Sequence, residues 1–156
     1  MQKEMRNSKR RLSDEMTAEI LENGLFGTLS TVGEEDVPYG VPMSYAVSDG
    51  KIYFHCAPEG HKLDNILYNN NVCFTVVDGV ETIAEKFSTK FRSVIAFGKI
   101  SVVEDAAEKQ KGIEAIMMKY SSEFAEAGRE YIEKYYGKFK ILRIDIENIS
   151  GKGRLQ

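Results

Sequence analysis

The hydrophobic residues of this chain change their period along its length, and that change limits the fold more than any other feature. Alternating, β-rich runs come first: "FGTLSTV" (Phe26–Val32), "YGVPMSYAVS" (Tyr39–Ser48) and "KIYFHC" (Lys51–Cys56). Turn signals join them, "GEED" after the first and Asp49-Gly50 before the third, the latter a hairpin signature. Two further runs, "NVCFTVVD" (Asn71–Asp78) and "FRSVIAFGKISVVED" (Phe91–Asp105), follow, and "KFKILRIDIENISG" (Lys138–Gly151) closes the chain in alternation. Between them the period becomes helical. "SDEMTAEILENG" carries Ile20 and Leu21 on one face, with Asp14 or Thr17 as cap and Gly24 as the stop. "GHKLDNILYNN" spaces Leu63, Ile66 and Leu67 for a two-turn helix. Ile113, Ile116, Met117 and Tyr120 form an i, i+3, i+4, i+7 stripe, and Phe124, Tyr131, Ile132 and Tyr135 mark another helix.

The order is therefore helix, three strands, short helix, two strands, two helices, strand. Hairpin connections of this kind predict a mainly β fold with flanking helices, whose five or six mostly antiparallel strands form a closed or split barrel. A doubly wound parallel sheet needs regular strand–helix alternation, which is absent. Gly98 is placed for a bulge. Pro42 supplies no ladder N–H, so its strand belongs at an edge, a bulge or a gap facing a ligand.

At 156 residues the chain predicts one domain, 1–156, able to bury a core without disulfide or metal staples. A net charge of −3 gives no reason to expect nucleic-acid binding. One local exception is the N-terminal arm, residues 1–12, with Lys3, Arg6, Lys9, Arg10 and Arg11 against Glu4. It lacks interleaved aromatics to stack on bases, and reads as a solvated arm that packs on the body or on a partner chain. No run approaches the ~20 apolar residues of a membrane span, and the N-terminus has no apolar segment of a secretory signal. With Cys56 and Cys73 the only cysteines, the expectation is a cytoplasmic protein with free thiols.

"FHCAPEGHK" (Phe54–Lys62) gathers both histidines of the chain, a cysteine and a lysine into nine residues. A metal site would use His55, Cys56 and His61, with Cys73 on the next strand. Neighbours in a strand point to opposite faces, however, so His55 and Cys56 do not readily share an ion, and no metal is expected. A Cys56–His61 nucleophile pair lacks an obvious Asn or Asp to orient the base, and a core thiol is the simpler reading. The third chemistry is an anion cradle. Gly60-His61-Lys62 precedes a helix whose first N–H groups have no intrahelical partner, and a cation in a first turn is electrostatically misplaced unless an anion sits beside it. A lysine that simply faces water is the alternative. No P-loop or dinucleotide fingerprint is present.

"YGVPMSYAVSDGKIYFHCAPEGHKLDNI", followed by "FRSVIAFGKISVVED", resembles the FMN-binding split-barrel family related to pyridoxamine 5′-phosphate oxidase, in its nitroimidazole-resistance-like branch. The similarity spans roughly the whole chain, including the arm and the terminal "ISGK". It implies an antiparallel split β-barrel of the FMN-binding type, a homodimer with the flavin at the subunit interface. The isoalloxazine would meet backbone of Val41, Pro42, Met43, Ser44 and Tyr45. The ribityl phosphate would meet His55, Cys56 and Ala57, the Gly60-His61-Lys62 turn, and Asn65. The partner chain would add Phe91, Ser93 and Lys152. The implied activity is an FMN-dependent oxidoreductase that passes electrons from a small donor to a small acceptor such as a nitroaromatic, with His55 as proton donor. The other reading is a non-catalytic flavin-, deazaflavin- or haem-binding dimer module, with His55 or His61 as axial ligand to haem. Val41–Tyr45 carries none of the cations that grip phosphate in pyridoxamine phosphate oxidases, so vitamin oxidation is not implied.

Overall fold

The computed structural model describes residues 3–156, so Met1 and Gln2 of the basic arm lie outside the described residues. Helix α1 (Asp14–Asn23) is capped by Ser13, whose Oγ accepts from the Met16 N–H at 3.2 Å. The cap therefore falls one residue before the expected Asp14. Asp14 and Glu15 then occupy the first turn, where the helix dipole favours acids, while Thr17 is buried and bonds back to the Ser13 carbonyl at 2.8 Å. Gly24 does stop α1, but with φ −59° rather than in the left-handed region. Glycine is needed there for space: a Cβ would lie 2.5 Å from both Tyr45 Oη and Val76 Cγ1.

Strands β1 (Gly27–Val32), β2 (Pro38–Met43), β3 (Ala46–Ser48) and β4 (Lys51–Cys56) lead to α2 (His61–Tyr68). The long strands β5 (Asn71–Ile83) and β6 (Ser88–Val102), helices α3 (Ala106–Ser121) and α4 (Ala125–Tyr135), and β7 (Lys140–Arg154) complete the chain. All seven strands form one antiparallel sheet in the order β2-β1-β5-β6-β7-β4-β3.

The expected strand over residues 39–48 is in fact two, which raises the count from five or six to seven. Only Ser44 and Tyr45 separate β2 from β3, yet these strands are the opposite edges of the sheet. Laid flat, seven strands at ~4.8 Å spacing put the edges roughly 29 Å apart. Three Cα steps from Met43 to Ala46 reach at most about 11 Å. The sheet must therefore curl until its edges nearly meet, and the crossover at Ser44–Tyr45 bridges the split in the barrel.

The barrel interior is filled by Leu29, Phe54, Phe74, Val94, Leu142 and Ile144, among others. A second cluster, including Tyr53, Ile113, Ile116, Met117, Ile132 and Ile141, packs α3 onto the outside of β3, β4 and β7, with α4 against α3. Gly98 sits at the expected bulge, where the β6–β7 register shifts after Phe97 and a Cβ would run into the Asp145 carbonyl. No helix among the described residues is long and apolar enough to cross a membrane.

Pro42 lies on an edge strand, as its missing donor requires. Pro38 has the same parity in β2. Antiparallel neighbours alternate between bonded and non-bonded pairs, so both prolines take non-bonded positions opposite β1, at Val32 and Thr28. The Gly40 N–H, between them in the same phase, then points off the sheet edge together with the carbonyls of Pro38, Gly40 and Pro42.

Candidate functional site

Strand β4 ends at Cys56, and a short turn delivers the chain to α2. His55 faces out and Cys56 faces in, the alternation expected of a strand. Burial pushes the Cys56 thiol up, with the cations of Lys62 and Lys140 acting against it. This is a core thiol rather than a ready nucleophile. Among the described residues no group of three or more His, Cys, Asp or Glu could hold a metal ion.

Gly60 opens α2 with φ 139° and ψ 168°, a conformation nearly exclusive to glycine. Its carbonyl accepts from Leu63 N at 2.9 Å and Asp64 N at 3.1 Å, and no side chain caps the helix. The N–H groups of His61 and Lys62 precede the first helical bonds. Lys62 stands in this first turn, half-buried, and enters no ion pair among the described residues. Burial and then the Lys62 charge hold the His55 imidazole below its ordinary range. The first turn of α2 thus carries one ammonium without an ion-pair partner and amides without a side-chain cap, and the field of that ammonium reaches the His55 imidazole. That donor set suits a phosphate monoester.

His61 packs against the Tyr39 ring, with centroids 4.0 Å apart, rather than against Cys56. Asn65 is buried and donates from Nδ2 to Thr31 Oγ1 at 3.0 Å, in the space that a side chain at Gly33 would claim. It braces α2 against β1. Ala57 is exposed beside this turn.

Of the crossover residues, Pro42 and Ser44 are exposed, Val41 is half-buried, and Met43 and Tyr45 turn into the barrel. Tyr45 is fully buried, its phenol donates to the Leu21 carbonyl, and its N–H donates to Tyr120 Oη at 3.0 Å. The free backbone of this segment accordingly belongs to the β2 edge and Ser44. Lys119 lies over the outer face of the Tyr45 ring, its Nζ 3.7 Å from the centroid.

Phe91, Ser93 and Lys152 lie elsewhere. Ser93 and Lys152 are cross-strand neighbours on β6 and β7, bonded from Ser93 Oγ to the Lys152 carbonyl at 3.2 Å, and Phe91 pairs with Arg154. Lys140, opposite Cys56, is twelve residues from Lys152 along β7. That is roughly 40 Å of strand if straight. The turn that follows Cys56 and the Lys152 position thus lie toward opposite ends of β7. Ser93 and Lys152 instead line a cleft of about 450 Å³ with Phe97, Ile149 and two cations of the arm, Lys3 and Arg11. Arg11 bridges to Lys152, and Leu12 N–H donates to the Gly151 carbonyl at 3.0 Å, so the arm packs on the body.

Tyr39, Lys119 and Tyr120 are the residues that the sequence did not mark for this site. Tyr120 carried only its place in a helical stripe, and 75 residues separate it from Tyr45.

The sequence profile of the pyridoxamine 5′-phosphate oxidase family matches residues 13–153. No curated protein matches the chain significantly. Among solved structures, the chain is similar to a candidate 5-nitroimidazole antibiotic resistance protein from Bacteroides thetaiotaomicron, at 25% identity and TM-score 0.74, over 92% of this chain and 86% of that one. A conserved hypothetical protein from Mycobacterium tuberculosis aligns at 21% identity and TM-score 0.82, over 96% and 90% of the two chains. An FAD- and haem-binding protein from Mycobacterium smegmatis aligns at 18% identity and TM-score 0.80, over 94% and 74%.

Proposed function

The chain belongs to the pyridoxamine 5′-phosphate oxidase family, and from that premise we propose that it is an FMN-dependent oxidoreductase, acting as a homodimer on a small acceptor such as a nitroaromatic. The observation that carries the flavin reading is the first turn of α2, where Lys62 has no anionic partner and no side chain caps the amides. The FMN phosphate would be held there by the His61 and Lys62 N–H groups and by Lys62 Nζ. The free edge of β2, from Gly40 to Ser44, would hold the ring through its unpaired backbone groups. A bound flavin supplies one- and two-electron redox chemistry to such a site.

This chain's own residues bind and orient it and handle protons. His55, whose imidazole is held below its ordinary range by burial and Lys62, would exchange a proton beside the phosphate turn. The similarity to a structure described for nitroimidazole resistance supports the choice of acceptor class. The separation of Lys62 from Lys152 supports a dimer in which each site draws on both chains. So does the apolar outer face of β6 and β7, where Ile95, Phe97 and Ile149 remain partly exposed. Two free cysteines fit a reducing cytoplasm.

The test is reconstitution with FMN, and separately with FAD, followed by the visible spectrum and turnover of a nitroaromatic with a reduced nicotinamide. A flavin spectrum with turnover supports the reading. A flavin spectrum without turnover leaves a binding module, a Soret band points to haem, and a colourless protein that takes up neither flavin removes the proposal.

A further inference from the structure

We propose that Tyr120 is a positioning residue for the flavin-side edge of the barrel, an assignment that rests on the flavin reading above. The β1–β2 ladder ends at Gly27↔Met43 and the β3–β4 ladder begins at Ala46↔Tyr53. Ser44 and Tyr45 between them have no strand partner. A backbone N–H and C=O in a part-buried place still require partners. For Tyr45 the Tyr120 hydroxyl stands beside both groups, taking the N–H and offering its single hydrogen to the nearby carbonyls. Tyr120 Oη accepts from the Tyr45 N–H at 3.0 Å and lies 3.1 Å from the Tyr45 carbonyl. The same hydroxyl reaches the Leu25 carbonyl, two residues before Gly27 opens β1.

One phenol on α3 thus ties together the crossover and the start of the strand that pairs with β2. The Tyr45 side chain is fixed independently, through its phenol to Leu21 on α1 and its ring against Phe74. What Tyr120 adds is control of the main chain at the end of the unpaired edge. A shift there would move the Gly40–Ser44 groups offered to a flavin ring while leaving the barrel core intact. Small displacements of donor groups change how a bound redox group is tuned, beyond changing how tightly it is held.

The test compares wild type, Tyr120→Phe and a control, Ile113→Val. The first variant keeps the ring and deletes the oxygen. The control trims a buried side chain in the outer cluster on α3, away from Tyr45. In the apo proteins, amide exchange at Tyr45 should quicken at least ~10-fold in Tyr120→Phe and not in Ile113→Val. With FMN bound, Tyr120→Phe should bind roughly 3- to 10-fold more weakly. Its visible spectrum and midpoint potential should also shift, while Ile113→Val lowers the melting temperature alone. Wild-type affinity, spectrum and potential in Tyr120→Phe overturn the assignment, as do equal changes in both variants. A wild type that binds no flavin overturns the functional reading and this assignment with it, whatever the exchange data show.

Discussion

The ammonium of Lys119 lies 3.7 Å above the ring of Tyr45, enclosed and with no hydrogen-bond acceptor among the described residues. The aromatic face offsets part of the cost of removing that charge from water, but burial still lowers the Lys119 pKa to about 8. The ordinary value is 10.5. Between these values the unfolded chain binds more protons than the native one, so stability rises with pH across that window.

Replacing Lys119 with Met should therefore stabilise the protein at pH 7 by roughly 0.5–1 kcal/mol, less than the full penalty for a buried unpaired charge because the side chain is only half-buried. The variant should also lose most of the rise in stability between pH 8 and 9.5. Urea melts at the two pH values measure both effects. Above pH 10 the phenols of Tyr45 and Tyr53, both held above the tyrosine range by burial, work in the opposite sense. The comparison is cleanest below that point. Parallel pH profiles for wild type and variant would show that Lys119 is solvated.

How much of this arrangement was legible in the sequence depends on how local its cause is. The start of α2 at His61 follows from Gly60 and the spacing of Leu63 and Ile66. The bulge at Gly98 and the edge position of Pro42 follow from what those residues do to a ladder. The break at Ser44–Tyr45 did not show, because both flanks alternate and only closure of the barrel decides that they pair with different neighbours. The facing ends of β5 and β6, Gly79–Ile83 and Ser88–Lys90, did not show either. Their cross-strand pairs include Glu81↔Lys90 and Thr82↔Thr89, polar on both faces and therefore without alternation. Tyr120 and Lys119 reach the crossover only through the packing of α3 on the sheet, for which sequence spacing holds no signal.

Lys62→Ala should weaken FMN binding by about 10-fold, the lower end of the range for a charge-assisted bond, since Lys62 is only half-buried. Riboflavin, which lacks the phosphate, should bind both proteins alike. Fluorescence titration with the two ligands separates the cases. An equal loss for both ligands would move Lys62 from the phosphate to the ring, and no loss for either would remove it from the site.

His55 offers a proton readout of the same turn. Its pKa is held down by burial and by Lys62 in the free protein. For a base depressed in the native state, the unfolded chain binds the extra proton, so stability falls as pH drops through the unfolded value near 6.5. A phosphate dianion beside Lys62 would cancel that cation's field and raise the imidazole pKa. NMR titration should show His55 moving upward on adding FMN and staying in place with riboflavin. The acid-side loss of stability should shrink in parallel. An unchanged His55 with FMN bound would place the phosphate away from Lys62, and full turnover by His55→Ala would end its proposed proton role.

The dimer proposal makes the sharpest demand, because it draws one site from Lys62 and Lys152, which lie toward opposite ends of β7. If each site takes Lys62 from one subunit and Lys152 from the other, Lys62→Ala and Lys152→Ala homodimers are each defective at both sites. A hybrid of the two variants is different. One of its sites carries both lesions and the other carries neither. Random reassortment of an equal mixture makes half of the dimers hybrids, so about a quarter of all sites should return to wild-type affinity. The measurement is FMN binding before and after mild unfolding and refolding of the mixed variants, with each variant refolded alone as control. Were both lysines to act within one subunit, reassortment would leave every site with a lesion and restore nothing.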